Sequence, residues 1–367
     1  MKLLYITRKF PPAVGGMERM NACLVEALRP LADLHLVAWG RSQRGLPLFA
    51  VTAAARGIAR LARRSARPDL ICLGDAALSP LGVALGRAGR VPVAAIAHGL
   101  DVTFSRYGYP ALVLPALRRC DRVICVSRYT ASLCEARGVP SDRLRVIPNG
   151  IPPPLPVPPR NAAREALRRK GWPIPGDEPL LVTVGRLVPR KGVAEFIRAG
   201  WPVLRSRFPE VHYAVIGRGP DEAAIRAAIA DAGAAENVFM PGGVDDETVR
   251  LAYAAADLFL MPNRPVPDNP EGFGIVAMEA SSYGLPVVAT AVEGLTDAVQ
   301  DGVNGRSVPP GDPAAFAQAA GDLLADPAAR PSLGCRAREH ALTHTWDRIA
   351  PRYLAVFEET VTRASRP

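Results

Sequence analysis

The sequence predicts an α/β protein built from two doubly wound domains, each a parallel sheet covered by helices. Three observations carry this. Short apolar runs rich in β-branched residues alternate with longer helical patterns through most of the 367 residues. Strands of that kind must be covered on both faces, which crossover helices do. The length suits two domains of roughly 100–200 residues each. Between the halves, residues 148–159 hold seven prolines, which neither continue a helix nor donate to a central ladder, so they form a stiff linker.

In the first half the expected strands are 3–7, 34–38, 70–73, 93–97, 123–126 and 146–147. The first helix is expected over 17–28, where Met20, Cys23, Leu24, Ala27 and Leu28 share a face and Pro30 stops the pattern. After the linker the strands are 180–184, 213–216, 237–240, 257–261 and 286–290. The expected domains are 1–157 and 158–346. A terminal helix over 347–367 carries Ile349, Tyr353, Val356 and Phe357 on its apolar face.

Hydrophobic residues make up 49% of the chain and charged residues 22%, a globular composition that excludes disordered and fibrous classes. No uncharged apolar run approaches the roughly 18 residues that span a bilayer. The apolar run within the first nine residues is too short for a secretory signal and reads as a first buried strand. Cys23, Cys72, Cys120, Cys125, Cys134 and Cys335 form no C-x-x-C pair and have no His at ligand spacing. They read as reduced thiols of a cytoplasmic protein.

The net charge of +10 is unevenly spread: residues 1–150 carry 22 Lys and Arg against 9 Asp and Glu, and residues 151–367 carry 23 against 26. The basic half is either a solvated surface or the face that meets an anionic partner. Residues 48–67 read as a helix with Arg56, Arg60, Arg63, Arg64 and Arg67 largely on one side, and Phe49, Val51, Ile58 and Leu61 elsewhere. Such a helix suits the inner face of an anionic membrane, with Arg106, Arg118, Arg119 and Arg122 adding to the same side near 107–117. Nucleic acid is disfavoured as a partner, because the 6% of aromatic residues do not interleave with the basic clusters.

Chemistry is expected beyond the carboxyl ends of the strands, and with two such domains, in the cleft between them. The segment Glu271-Gly272-Phe273-Gly274 follows an expected strand and opens a helix. Its glycines admit close approach, and its unpaired N–H groups favour an anion. Glu271 and Glu279, eight residues apart, are expected about 12 Å apart along that helix at about 1.5 Å per residue, flanking a diphosphate. An isolated E-x7-E more often describes a capped helix with solvated carboxylates. At another strand end, Gly185-Arg186-Leu187 leads to Arg190-Lys191-Gly192. There Arg186 and Lys191 suit the neutralisation of a leaving diphosphate. Gly217 and the Pro241–Val244 turn follow two further strands, relaxed enough to present backbone to a flat base. The chain holds no D-x-D triplet, and Asp245-Asp246-Glu247 reads as the acidic start of a helix.

In order, G-R-L-x(3)-K-G, I-G-x-G-P, E-G-F-G-I-V-x-x-E-A and G-L-P-V-V-A-T resemble the family-4 retaining glycosyltransferases of the GT-B type. The glycine loop 11–18, His98-Gly99-Leu100-Asp101 and Ile147-Pro148-Asn149-Gly150 extend the resemblance over nearly the whole chain. It implies two Rossmann-like domains facing a cleft, with the terminal helix crossing back onto the first. It also implies that Arg186 and Lys191 bind the donor pyrophosphate, and that Glu279 binds the ribose. Glu271 with the amides of Gly272, Phe273 and Gly274 would hold the transferred sugar and its phosphate. Gly15 and Gly16 would let the first loop approach that phosphate, Gly185 and Gly217 would line the donor, and Val244 would meet the base. His98 and Asp101 would face the sugar or acceptor.

The expectation is transfer of a hexose from a UDP- or GDP-linked donor to a glycan or lipid-linked acceptor of the cell envelope. No metal or cofactor is expected. The open alternatives are a non-catalytic nucleotide-sugar binder and a sugar-nucleotide epimerase of the same architecture. A phosphorylase would need a lysine in a pyridoxal setting, and Lys2, Lys9, Lys170 and Lys191 offer none.

Overall fold

A computed structural model describes residues 1–13, 15–40, 45–105, 108–174 and 176–365. Val14 of the first glycine loop, and Arg106 and Tyr107 of the expected basic side, lie outside the described residues.

By contact the chain forms two compact units. The first holds Met1–Pro152, Asp268–Phe273 and His344–Pro367; the second holds Pro153–Pro267 and Gly274–Thr343. The observed boundaries, 152/153 and 343/344, stand beside the expected 157/158 and 346/347.

In the first unit, β1 (Lys2–Thr7), β2 (Asp33–Ala38), β3 (Leu70–Leu73), β4 (Val93–Ala97), β5 (Arg122–Cys125) and β6 (Leu144–Val146) form one parallel sheet in the order β2-β1-β3-β4-β5-β6. The second unit repeats the plan with β7 (Leu180–Val184), β8 (His212–Ile216), β9 (Val238–Gly242), β10 (Leu258–Met261), β11 (Val287–Thr290) and β12 (Gly305–Val308), ordered β12-β11-β10-β7-β8-β9. The inner strands β3, β4, β5, β10 and β11 are buried at every position, as a sheet covered on both faces requires. In each sheet the chain runs outward to one side of the first strand and then returns to the other. The topological switch points therefore lie between β1 and β3, and between β7 and β10.

The terminal helix, Trp346–Ala364, packs in the first unit, burying Trp346, Ile349, Tyr353, Phe357 and Thr360. Glu359 fastens it by accepting from Arg122 at 2.5 Å and Arg145 at 2.6 Å. Arg363 adds a pair to Asp142.

The second unit has its own buried knot. Asp257, just before β10, accepts from Arg164 at 3.0 Å, from Arg160 at 3.0 Å and from the Leu180 N–H at 2.9 Å. One carboxylate thus pins the start of β7 to the helix Arg160–Arg169.

Two expectations change. The basic helix runs Leu46–Ala62, so Arg63, Arg64 and Arg67 lie beyond it. Its apolar residues also divide: Phe49 is buried, whereas Leu48, Val51 and Ile58 are 57–68% exposed. No described helix is long and apolar enough to cross a membrane.

Candidate active site

In the second unit the switch point carries cations. β7 ends in Gly185-Arg186, and the turn Pro189–Lys191 follows. Arg186 is exposed and Lys191 buried, its stem passing Gly185. Gly192 fixes this turn. It sits at φ 64°, and any Cβ there would strike the Pro262 carbonyl at the end of β10. Arg264 completes the clasp, its N–H donating to the Arg190 carbonyl at 2.9 Å and its Nε to the Pro189 carbonyl at 3.1 Å.

Neighbouring turns are laced to this one. The Gly185 N–H donates to the Ile216 carbonyl at 3.0 Å, Gly217 N–H to Gly242 at 2.8 Å, and Leu187 N–H to Arg218 at 2.9 Å. The Arg218 guanidinium lies along Gly242 and Gly243, a third cation at this edge. Val244 lines a hollow of about 510 Å³ with Trp172, Phe239, Met240 and Pro241. Asp245 accepts from the Thr248 N–H at 2.7 Å, capping the helix Asp246–Ala255 as its acidic start predicts.

The helix Ile275–Ser282 also starts at this edge, with Gly274 as N-cap at φ 88° and no side-chain cap. Glu279 is half-buried on it. The expected 12 Å span from Glu271 to Glu279 along one helix does not occur, because the helix begins only at Ile275. Glu271 lies in an irregular segment before the left-handed Gly274, and Glu271, Gly272 and Phe273 belong to the first unit.

In the first unit that segment lies against the loop after β4. A Cβ on Gly272 would strike the His98 carbonyl oxygen. Thr103 Oγ1 donates to the Asp268 carbonyl at 3.3 Å, and Ser105 Oγ to the Asp268 carboxylate at 3.1 Å. Glu271 and His98 are both buried at 8% exposure. His98 Nε2 donates to the Gly74 carbonyl at 3.0 Å, so in the neutral ring Nδ1 is the remaining acceptor. Both Asp101 oxygens serve main-chain groups, accepting from His98 N–H at 2.8 Å and Ala76 N–H at 2.9 Å. Its carboxylate holds the loops after β3 and β4 together. Gly15 precedes the helix Gly16–Leu28, where the Glu18 carboxylate fills the space beside it and pairs with Lys9 at 3.0 Å. The space over Gly16 is open.

One further pair, absent from the sequence expectations, stands at this unit's own switch point. Asp75, after β3, is fully buried and accepts from Arg8 Nε, after β1, at 2.9 Å and from Ala77 N–H at 3.0 Å. Its second oxygen has no hydrogen-bond partner among the described residues. Burial pushes the carboxyl above its ordinary value, and the Arg8 charge opposes that shift. The signal was the opposite charges at the ends of the two strands flanking a topological reversal.

Residues 14–154 match the description Glycosyltransferase Family 4, and residues 165–340 match Glycosyl transferases group 1. A GDP-mannose-dependent alpha-(1-6)-phosphatidylinositol monomannoside mannosyltransferase of Mycolicibacterium smegmatis is 33% identical, over 93% of this chain and 94% of that one. The chain belongs to the family-4 glycosyltransferases. A D-inositol 3-phosphate glycosyltransferase of Acidothermus cellulolyticus is 38% identical to this glycosyltransferase over 62% of its chain and 51% of the relative's. The solved structure of Anabaena HepE in complex with UDP superposes with a TM-score of 0.77 at 19% identity, covering 98% of this chain and all of that one. That likeness concerns the fold, which is GT-B.

Proposed function

We propose that this glycosyltransferase moves mannose from GDP-mannose to an inositol-bearing lipid acceptor, with retention at the anomeric carbon and without a metal. The observation that carries this reading is identity of 33% along nearly the full length of a relative named for that donor and acceptor class. The cationic switch point of the second unit supports it independently.

In this reading Arg186, Lys191 and the first amides of Ile275–Ser282 neutralise the diphosphate as it departs, without rearranging as charge develops. Glu279 takes the ribose hydroxyls, Val244 meets the base through its backbone, and Glu271 orients the sugar. His98 accepts a sugar hydroxyl through Nδ1. The C1–O bond to phosphate breaks with its electron pair leaving on the diphosphate. The acceptor oxygen bonds C1 from the same face, and its proton passes to the departing phosphate oxygen. The exposed Leu48, Val51 and Ile58, with Arg56 and Arg60 on the same helix and Arg63 just past its end, support attachment to an anionic bilayer at the cytoplasmic face.

A thermal-shift screen of GDP, UDP and ADP tests the donor: GDP should raise the unfolding midpoint most. An assay with GDP-mannose and phosphatidylinositol mannoside, in chelator, tests the rest. An α-linked product at undiminished rate supports the reading. A β-linked product or an absolute divalent requirement overturns the mechanism. Failure to release GDP from any donor, with or without acceptor, favours a non-catalytic binder.

A further inference from the structure

The first unit carries a second cationic site at the opposite edge of its sheet from His98 and Asp75. There the amino-terminal ends of β1, β3 and β4 meet the end of the terminal helix around a cavity of about 370 Å³. Among the described residues, Lys2, Arg64, Arg67 and Arg90 line it against one carboxylate, Asp69.

Three bonds set the rim. Asp69 accepts from the Lys2 N–H at 2.7 Å, the Lys2 ammonium donates to the Ser65 carbonyl at 2.8 Å, and Arg67 donates to the Gly89 carbonyl. That leaves Arg64 and Arg90, whose guanidinium groups have neither ion pair nor hydrogen bond among the described residues. Arg90 also closes the helix Ser79–Gly89 at φ 52°, the left-handed position where glycine is the favoured residue. A strained backbone thus holds an uncompensated guanidinium at a cavity that already carries excess positive charge.

We propose that this cavity binds a phosphate group, supplied by a soluble phosphomonoester or by an anionic lipid headgroup. Forked guanidinium donors match phosphate oxygens, and the volume accommodates a phosphate with a small polyol. The inference does not depend on the donor or the reaction.

The test is calorimetric titration of the full chain with inorganic phosphate and with glycerol 3-phosphate, at constant ionic strength. It compares wild type with Arg90→Gly and Arg64→Gln. Arg90→Gly removes the cation while relaxing the backbone, so its unfolding midpoint should be unchanged or higher. Each variant should weaken binding about tenfold or more. A second arm sediments the proteins with vesicles of phosphatidylcholine alone or mixed with phosphatidylglycerol. Weaker retention of Arg90→Gly on the anionic vesicles, relieved in wild type by added phosphate, assigns the headgroup as source. Phosphate binding that is lost in the variants while vesicle retention is unchanged assigns a soluble ligand. The proposal is overturned if the variants match wild type in both arms, or if wild type binds neither probe.

Discussion

The Nε2 of His98 donates to the main-chain carbonyl of Gly74 across 3.0 Å. That bond fixes both the tautomer and the ring plane, so the sugar contact proposed for Nδ1 would need no turn of the ring. His98→Ala should lower kcat by roughly a hundredfold or more, while GDP affinity measured by calorimetry stays within a factor of about two. Unaltered turnover would retire His98 from the reaction.

Gly272 is needed for a reason that its backbone angles do not reveal. Any side chain there meets the His98 carbonyl, so Gly272→Ala should displace the segment that presents Glu271. The expected loss is about 1–3 kcal/mol of stability, accompanied by a fall in kcat. A normal midpoint with full activity would show that the two loops are not held together.

Lys191 and Arg186 should act on the diphosphate and not on the nucleoside. Removing either charge by Ala should weaken GDP binding about tenfold or more and leave guanosine binding unchanged. Equal losses for GDP and guanosine would instead indicate a collapsed turn.

Glu359 makes docking of the terminal helix pH-dependent. The hydrogen bond from Arg145, with the Arg122 and Arg363 charges, holds its carboxyl below the ordinary glutamate value of 4.5. A carboxyl depressed in the folded state adds stability that is present above the unfolded value and lost as pH falls through the folded one. The midpoint gap between wild type and Glu359→Gln should therefore be widest near neutrality and shrink as pH drops below about 4.5. A constant gap would contradict this assignment.

Asp257 should be costly to lose. The side chains of Arg164 and Asp257 are 1% and 3% exposed, and Asp257→Ala leaves the guanidinium buried beside the remaining carbonyl acceptors. The expected loss is about 3–5 kcal/mol, read as a large drop in midpoint. The double variant Arg164→Met with Asp257→Leu should recover much of it, since an apolar pair avoids the uncompensated charge.

The sheets were legible because their inner strands are continuous apolar runs, and 70–73, 93–97 and 180–184 coincide with β3, β4 and β7. The edge strand β12, Gly305-Arg306-Ser307-Val308, escaped notice because a half-solvated edge carries no such run. The cationic turn was legible from glycines and charges following a strand. Glu271 was misplaced onto the helix because spacing alone does not say where a left-handed glycine restarts the backbone. Arg8 and Asp75 were missed because each alone looks like an ordinary residue at a strand end; only the strand order makes them neighbours.

Residues 268–273 group with the first unit although both flanks of that segment belong to the second, and the final helix returns likewise. Neither half is therefore a contiguous gene fragment. A chimera that exchanges the second unit by cutting once in the proline stretch would import foreign pieces of the first unit along with it. Exchanges that retain 268–273 and 344–365 from the parent that supplies the first unit are the ones expected to yield well-behaved hybrids.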